Sequence, residues 1–570
     1  MADSVAERHL AVCRRFGESV RAATGKWERP SPCDGWDARA VLEHVIGFHD
    51  VLLLRPLGLK PDRPRNDPQR RWESTYLQLE RAFELDIGPD VTAMLPSVTR
   101  DVLVHTWDLA RAVGADDRLD VGLCESFYAA LPADPGALSG SGMFDAPVAV
   151  GMQSDVQSKL LARLGRNPDW RPPADREIVV LGSGFAGLWA ALGAARRLDE
   201  LEVAPGAIGV TMISSRPFHD IRVRNYEADL TPSRIPLRDI LGPVGVSHIT
   251  ADVTAIDPAA RTVTHSTGSH TYDRLVVALG SELVKPDIAG LAEFGFDVDT
   301  FDGAMKLSRH LAALADGPAD AASDTVVVVG AGLTGIETAC ELPGRLARTA
   351  RVVLIDRHPS VGSDMGEFAR PVIEQALADN GVEIRTGAGI SDISADGIRL
   401  TSGEAIATRT VIWCAGMRAN PLTAQFGIDC DHLGRLPVDE YLRVSGVPGV
   451  FAAGDVAALH VDDDHVSVMS CQHGRPMGRY AGYNVVGDLL GEPMLALQIP
   501  WYVTVLDLGP AGAVYTEGWD RRLVAQGRQA KATKRTINTE RIYPPLNGNP
   551  DDILSAAAPV LQDRPSRAAG

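Results

Sequence analysis

The chain has 570 residues, 45% hydrophobic and 23% charged, with a formal net charge of −18. That length exceeds one hydrophobic core and calls for about three domains of roughly 100–200 residues each. The negative balance argues against nucleic acid and anionic membrane surfaces as partners.

Seven cysteines, at 13, 33, 124, 340, 414, 430 and 471, are scattered without a CxxC or CxxxxC pair. This usage fits a reducing, cytoplasmic setting with neither a disulfide framework nor a redox-active dithiol. The first residues, with Asp3, Glu7, Arg8, Arg14 and Arg15, hold no apolar stretch suited to a signal peptide.

Residues 1 to about 115 carry helical periodicity: Leu10, Cys13, Phe16 and Val20, then Val41, Leu42, Val45 and Ile46, then Tyr76, Leu79 and Phe83, then Val102, Leu103 and Leu109. Clusters of proline and aspartate separate the runs, so a helical bundle is expected. Asp101 and His105 stand four apart and project from one helix face. With His44 from another helix they make a two-histidine, one-carboxylate set that leaves coordination positions open on a divalent ion such as zinc. A proline-rich stretch, residues 167–173, reads as a linker between domains.

From Glu177 onward strands alternate with helices, the mark of doubly wound sheets. Two glycine-rich turns of one kind lie 148 residues apart: Gly182-Ser-Gly184-Phe-Ala-Gly187 and Gly330-Ala-Gly332-Leu-Thr-Gly335. Each follows a four-residue aliphatic run and opens a helix. The first glycine makes the tight turn, the second lets the backbone approach a pyrophosphate, and the third lets helix and strand pack closely. Two copies imply two dinucleotides, one of them a flavin. Residues 178–195 form an 18-residue uncharged stretch, but the glycines inside it sit where a phosphate-binding turn needs them. No membrane span is expected.

After the first βαβ unit an acidic residue should bind a ribose hydroxyl; Ser214-Ser215 stands there instead, and Ser214 offers a hydrogen bond without charge. The second unit keeps the rule, with Asp356 placed 21 residues after Gly335. A carboxylate repels the extra phosphate of NADPH, so NADH is favoured; Arg357 alongside leaves NADPH open. Two further strands run into small-residue turns, at Ala278-Leu-Gly280 and Ala415-Gly416, and a third ends in Gly454-Asp455.

On these motifs, residues 177 to about 550 resemble the two-dinucleotide-domain flavoproteins, which include type II NADH dehydrogenases and ferredoxin reductases. The resemblance implies FAD on the first turn, NAD(P)H on the second, Gly454-Asp455 against FAD, and the Val253 backbone at the adenine. It places Glu337 near the nicotinamide–flavin junction. It also puts Gln472, in Ser470-Cys-Gln-His-Gly474, at a helix start against the flavin ring or an incoming quinone. The same resemblance lacks, in residues 498–545, the amphipathic anchor helices of the respiratory enzymes. The basic cluster Arg521, Arg522, Arg528, Lys531, Lys534 and Arg535 reads as a solvated face.

The ordered series Pro30-Ser-Pro-Cys33-Asp-Gly-Trp36-Asp37, Leu42-Glu-His44 and Asp101-Val-Leu-Val-His105-Thr-Trp107-Asp108 resembles the DinB-like bundle of mycothiol-dependent maleylpyruvate isomerases. That likeness implies His44, Asp101 and His105 as metal ligands, with aspartate where the family more often has glutamate.

The expected fold is multidomain: an all-α DinB-like helical bundle, then an α/β Rossmann-like flavoprotein with two dinucleotide-binding domains. The expected boundaries are 1–172 for the bundle, 173–325 with 405–495 for the FAD-binding domain, 326–404 for the NAD(P)H-binding domain and 496–570 for a C-terminal interface segment. The expected activity is FAD-dependent NAD(P)H oxidation with a quinone or other small acceptor; a homodimer is compatible with it. Two other readings stay open at this point. One is a thiol-dependent transferase or isomerase in the bundle, using a low-molecular-weight thiol such as mycothiol, with the flavoprotein as its redox partner. The other is a non-catalytic redox-sensing protein.

Overall fold

The computed structural model describes residues 5–565 except 85–86, 135, 141–143, 149, 151–153, 169, 171, 173, 205 and 347–349. Three linker positions, Asp169, Arg171 and Pro173, therefore lie outside the described residues. The chain divides into two compact units, residues 1–175 with 204–209 and residues 176–203 with 210–570.

The first unit is helical, with α1 (Val5–Ala22), α2 (Ala38–His49), α3 (Pro68–Phe83) and α4 (Gly88–Val113) supplying most of its core. Local chemistry sets the ends. Asp37 and Asp67 cap α2 and α3 by accepting from the Ala40 and Arg70 N–H groups, and Gly114 closes α4 in the left-handed conformation. The periodic apolar positions face inward: Cys13, Phe16 and Val20 of α1 pack with Val41, Leu42 and Val45 of α2 and with Val102, Leu103 and Leu109 of α4.

The second unit holds two parallel sheets. The first has strands β1 (Arg176–Leu181), β2 (Ile208–Ser214), β3 (Ser247–Thr250), β4 (Arg274–Val277) and β10 (Val450–Ala452), in the order β10-β4-β1-β2-β3. The second has β5 (Gly295–Phe296), β6 (Thr325–Val329), β7 (Arg351–Ile355), β8 (Val382–Arg385) and β9 (Thr410–Trp413), in the order β5-β9-β6-β7-β8. All five residues of β6 are buried, as expected of a parallel strand covered on both faces. Each glycine turn joins the central strand of its sheet to a helix, β1 to α5 (Phe185–Glu200) and β6 to α6 (Leu333–Arg345). Helix α7 (Cys471–Leu490) packs along α5. The approach is close enough that a Cβ on Gly478 or Gly482 would overlap the α5 backbone.

A small antiparallel sheet, β11 (Val503–Asp507), β12 (Ala513–Glu517) and β13 (Arg522–Gln526), is followed by α8 (Gly527–Thr536). This corrects the reading of the basic cluster as a solvated face. Lys531 and Lys534 stand three apart on α8 and turn inward, to Asp507 and Glu337 respectively, because those carboxylates are buried and need a cation. Among the described residues no helix is long and apolar enough to cross a membrane.

Candidate active site

A cavity of about 660 Å³ opens at the carboxyl ends of β1, β2, β4 and β10, where open α/β sheets place ligands. Gly182, Gly184, Ser214, Ala278, Gly280 and Gly454 line it. Val253 and Asp455 border it as well. The three glycines of the first turn serve different ends. Gly182 has φ +99°, and a Cβ there would overlap the Ala278 carbonyl. Gly187 does not reach the cavity; a Cβ on it would overlap the Gly182 carbonyl, so it sets how closely α5 packs on β1. A Cβ on Gly184 meets no protein atom within 4 Å. It would project into open space at the N-terminus of α5, whose cap has no side-chain acceptor. First-turn N–H groups without an internal partner are what a pyrophosphate binds. The cradle therefore fits a dinucleotide.

Two details of this wall were not legible in the sequence. The Ser214 hydroxyl already donates to the Arg216 carbonyl at 2.8 Å and pairs with His248 Nε2 at 2.9 Å, so it faces the wall as much as the cavity. Asp455 accepts from Ser281 Oγ at 2.6 Å, with Arg222 3.9 Å away. Desolvation raises the Asp455 carboxyl above the usual aspartate range, and Ser281 and Arg222 pull it back. Ser281 and Arg222 come from separate segments, and no local motif announces them.

The second glycine turn repeats the device. Gly330 has φ +101° and lies against Ala415, and a Cβ on Gly335 would overlap the Gly330 carbonyl. Gly332, like Gly184, opens on empty space at an uncapped helix start. Gly416 turns the chain just after Ala415 with φ +80°. Asp356 ends β7 and accepts from the Ala331 N–H at 2.5 Å and from the His358 N–H at 2.7 Å. The two cradles meet at one point: Thr334, in the first turn of α6, lines the cavity of the first cradle.

Glu337 is 8% exposed on α6. It accepts from Lys534 Nζ at 2.7 Å and from the Asp507 N–H at 3.0 Å. Burial raises its carboxyl above the usual glutamate range, against the pull of Lys534. Lys534 also lies within electrostatic reach of Cys471, which borders the cavity. Gln472 sits in the first turn of α7 between the cavity-lining residues Cys471 and Gly474, and its amide points to the Trp501 carbonyl at 3.5 Å.

In the first unit, α2 and α4 bring His44, Asp101 and His105 together. Asp101 stands 3.6 Å from each histidine Nε2, and the three donor atoms lie within 4.8 Å of one another. His105 Nδ1 donates to Asp108 at 2.8 Å, which turns its Nε2 toward Asp101. Burial raises the Asp108 carboxyl, but His105 and Arg166 outweigh it and hold the group below the usual range. Asp101 Oδ2 is buried and has no hydrogen-bond donor among the described residues. A buried, unsatisfied carboxylate oxygen between two imidazoles fits a cation. The sequence did not reveal the outer residues, Cys33 and Arg166, which both reach Asp108.

The pyridine nucleotide-disulphide oxidoreductase family model matches residues 176–478, just over half of the chain. The chain belongs to that family. It is a flavoprotein oxidoreductase, with FAD and NADH as its cofactors. The first cysteine after Gly187 is Cys340 and all seven cysteines are free, so the disulphide chemistry in the family's name has no residue pair here. A Mycobacterium tuberculosis NADH dehydrogenase-like protein is 68% identical over 397 residues, 68% of this chain and 99% of that protein. A type II NADH:quinone oxidoreductase of Staphylococcus saprophyticus is 27% identical over 402 residues, 65% of this chain and 95% of that protein. Among solved structures, the Plasmodium falciparum NDH2 in complex with NADH superposes with a TM-score of 0.55 at 13% identity. That match covers 67% of this chain and 98% of the other, and shows a shared fold. Residues 1–175 lie outside the family match.

Proposed function

We propose that the second unit oxidises NADH through FAD and delivers the electrons to a quinone. Thr334 supports this most directly: the helix that opens the nicotinamide cradle borders the flavin cavity, so the two redox partners can approach there. The type II relative, named as an NADH:quinone oxidoreductase, supports the acceptor. When bound, FAD accepts hydride from NADH and passes the electrons on; the protein's part is binding, orientation and electrostatics. Gly182, Gly184 and Gly187 form the FAD turn, with Gly280, Gly454 and Asp455 lining the same cavity. Ser214, Val253 and Ala278 complete the adenosine side. Gly330, Gly332 and Gly335 with Ala415 and Gly416 hold NADH. Glu337, tied to Lys534, fixes the charge balance beside Cys471, and Gln472 orients the acceptor. The sheet pairing moves two of the expected boundaries, because β5 and β9 belong to the second sheet: the FAD-binding domain becomes 173–294 with 417–495, the NADH-binding domain 295–416, and the C-terminal segment stays at 496–570. The seven free cysteines support a reducing, cytoplasmic setting.

The acceptor is tested by steady-state NADH oxidation against quinones, ferredoxin, oxygen and disulfides. Quinone should give the highest kcat/KM; a higher value for ferredoxin or a disulfide would reject the quinone reading. Asp356→Ala should narrow the preference for NADH over NADPH. An unchanged ratio of the two kcat/KM values would refute a discriminating role for that carboxylate.

For the first unit, the DinB-like identity, over residues 1–172, rests on the motif series and on the His44, Asp101 and His105 geometry. A divalent ion there would lower the pKa of a bound water, to about 7 in zinc enzymes, or of a low-molecular-weight thiol such as mycothiol. Trp36 stacks on His105 with centroids 5.9 Å apart and restrains that ligand. Protein purified without chelators should lose about one equivalent of zinc in His44→Ala and in His105→Ala, as one open site predicts. Flavin content should be retained in both. Zinc content equal to wild type in both variants would reject the site.

A further inference from the structure

A second set of soft ligands lies inside the first unit and shares no residue with His44, Asp101 and His105. His9 and Cys13 stand one turn apart on α1, and His49 ends α2. All three side chains are fully buried. The hydrogen bonds around them decide which ring nitrogens carry protons. Thr99 Oγ1 donates its only proton to the Leu95 carbonyl at 2.6 Å, so toward His9 Nδ1, at 3.0 Å, it can only accept. His49 Nδ1 donates to the Val45 carbonyl at 2.7 Å. Both neutral rings are therefore Nδ1–H tautomers, and both Nε2 atoms present lone pairs.

Those two lone pairs face each other at 3.1 Å, with Cys13 Sγ 3.4 Å from His9 Nε2 and 3.6 Å from His49 Nε2. Two lone pairs at that distance repel unless an electrophile lies between them. A proton bridges only two of the three atoms, whereas a metal ion serves all three. Zinc bonds of about 2.0–2.1 Å to nitrogen and about 2.3 Å to sulfur, at tetrahedral angles, put the nitrogens about 3.4 Å apart and sulfur about 3.6 Å from each. The observed triangle is close to this. It offers two imidazoles, one sulfur and no carboxylate, which disfavours hard cations such as magnesium and calcium.

We propose that His9 Nε2, His49 Nε2 and Cys13 Sγ bind a thiophilic d¹⁰ ion, zinc(II) or copper(I), as a structural centre that fastens α1 to α2. On binding, the Cys13 thiol releases its proton to solvent and the thiolate forms the metal–sulfur bond. Thr99 and the Val45 carbonyl hold the imidazoles in the ligating orientation, as outer partners do in metal sites.

The test is a cobalt(II) titration of the full chain under anaerobic reducing conditions, read as a difference spectrum. The expected result is a near-ultraviolet cobalt–thiolate charge-transfer band, which in His44→Ala, where only this site remains, saturates at about one equivalent. The His44 site has no sulfur ligand, so His44→Ala should keep the band, as should Cys33→Ser, while Cys13→Ser should lose it. Displacement of cobalt by zinc(II) or by copper(I) at equal concentration identifies the preferred ion. Because Cys13→Ser lies in the core, the zinc-loaded Cys33→Ser protein supplies a second readout. Its zinc-edge X-ray absorption should show a sulfur neighbour at about 2.3 Å. No band in the parent protein, a band that survives Cys13→Ser, or an absorption spectrum with only nitrogen and oxygen neighbours would overturn the proposal and leave a proton-bridged trio. Loss of zinc from the His44 site alone leaves both the band and the sulfur neighbour in place.

Discussion

Gly184→Val should give folded, colourless protein. The two neighbouring glycines of the turn cannot deliver so clean a result, because a Cβ on Gly182 or Gly187 would overlap backbone carbonyls and disturb the sheet itself. At Gly184 the added Cβ meets no protein atom within 4 Å and projects instead into the space at the start of α5. The valine therefore removes the pyrophosphate seat and leaves the fold alone. Flavin content after gel filtration should fall at least tenfold, which is about 1.4 kcal/mol or more of lost binding, with unchanged circular dichroism. Full flavin content in this variant would show that the first cradle does not hold FAD.

Gly332→Val should separate the second cradle from the first. A Cβ on Gly332 likewise meets no protein atom within 4 Å, whereas one on Gly330 or Gly335 would collide with Ala415 or with the Gly330 carbonyl. The variant should purify yellow and be bleached by dithionite, with NADH-driven kcat/KM down roughly 100-fold or more, the loss that misplacing a reacting group by about 1 Å brings. Wild-type reduction by NADH would place the nicotinamide elsewhere.

What the sequence shows and what it hides follow from how far apart the cooperating residues lie. Each glycine turn is a device of six residues, and its strand and helix adjoin it, so both cradles were legible from Gly182-x-Gly184-x-x-Gly187 and Gly330-x-Gly332-x-x-Gly335. The Asp101–His105 pair is legible for the same reason, through its helical spacing; His44 is named beside it from its motif, and the structure supplies the distance, 3.6 Å from Asp101. The partners of Glu337 are not legible, because Asp507 and Lys534 reach it from 170 and 197 residues away. Lys534 was misread because a run of basic residues on a helix looks solvated until a buried carboxylate is known to face it. His9 and His49 went unnoticed and Cys13 was read only as a core position. Their separation of 40 residues matches no motif, and only the crossing of α1 and α2 brings them to 3.1 Å.

The most direct test of the central claim is an anaerobic double-mixing stopped-flow experiment on the wild-type protein, followed by flavin absorbance. NADH in the first mix should bleach the flavin in a single turnover, and a quinone in the second mix should restore the oxidised spectrum within the steady-state turnover time. A flavin that NADH leaves oxidised, or a reduced flavin that quinone fails to reoxidise at a rate matching turnover, would contradict the account.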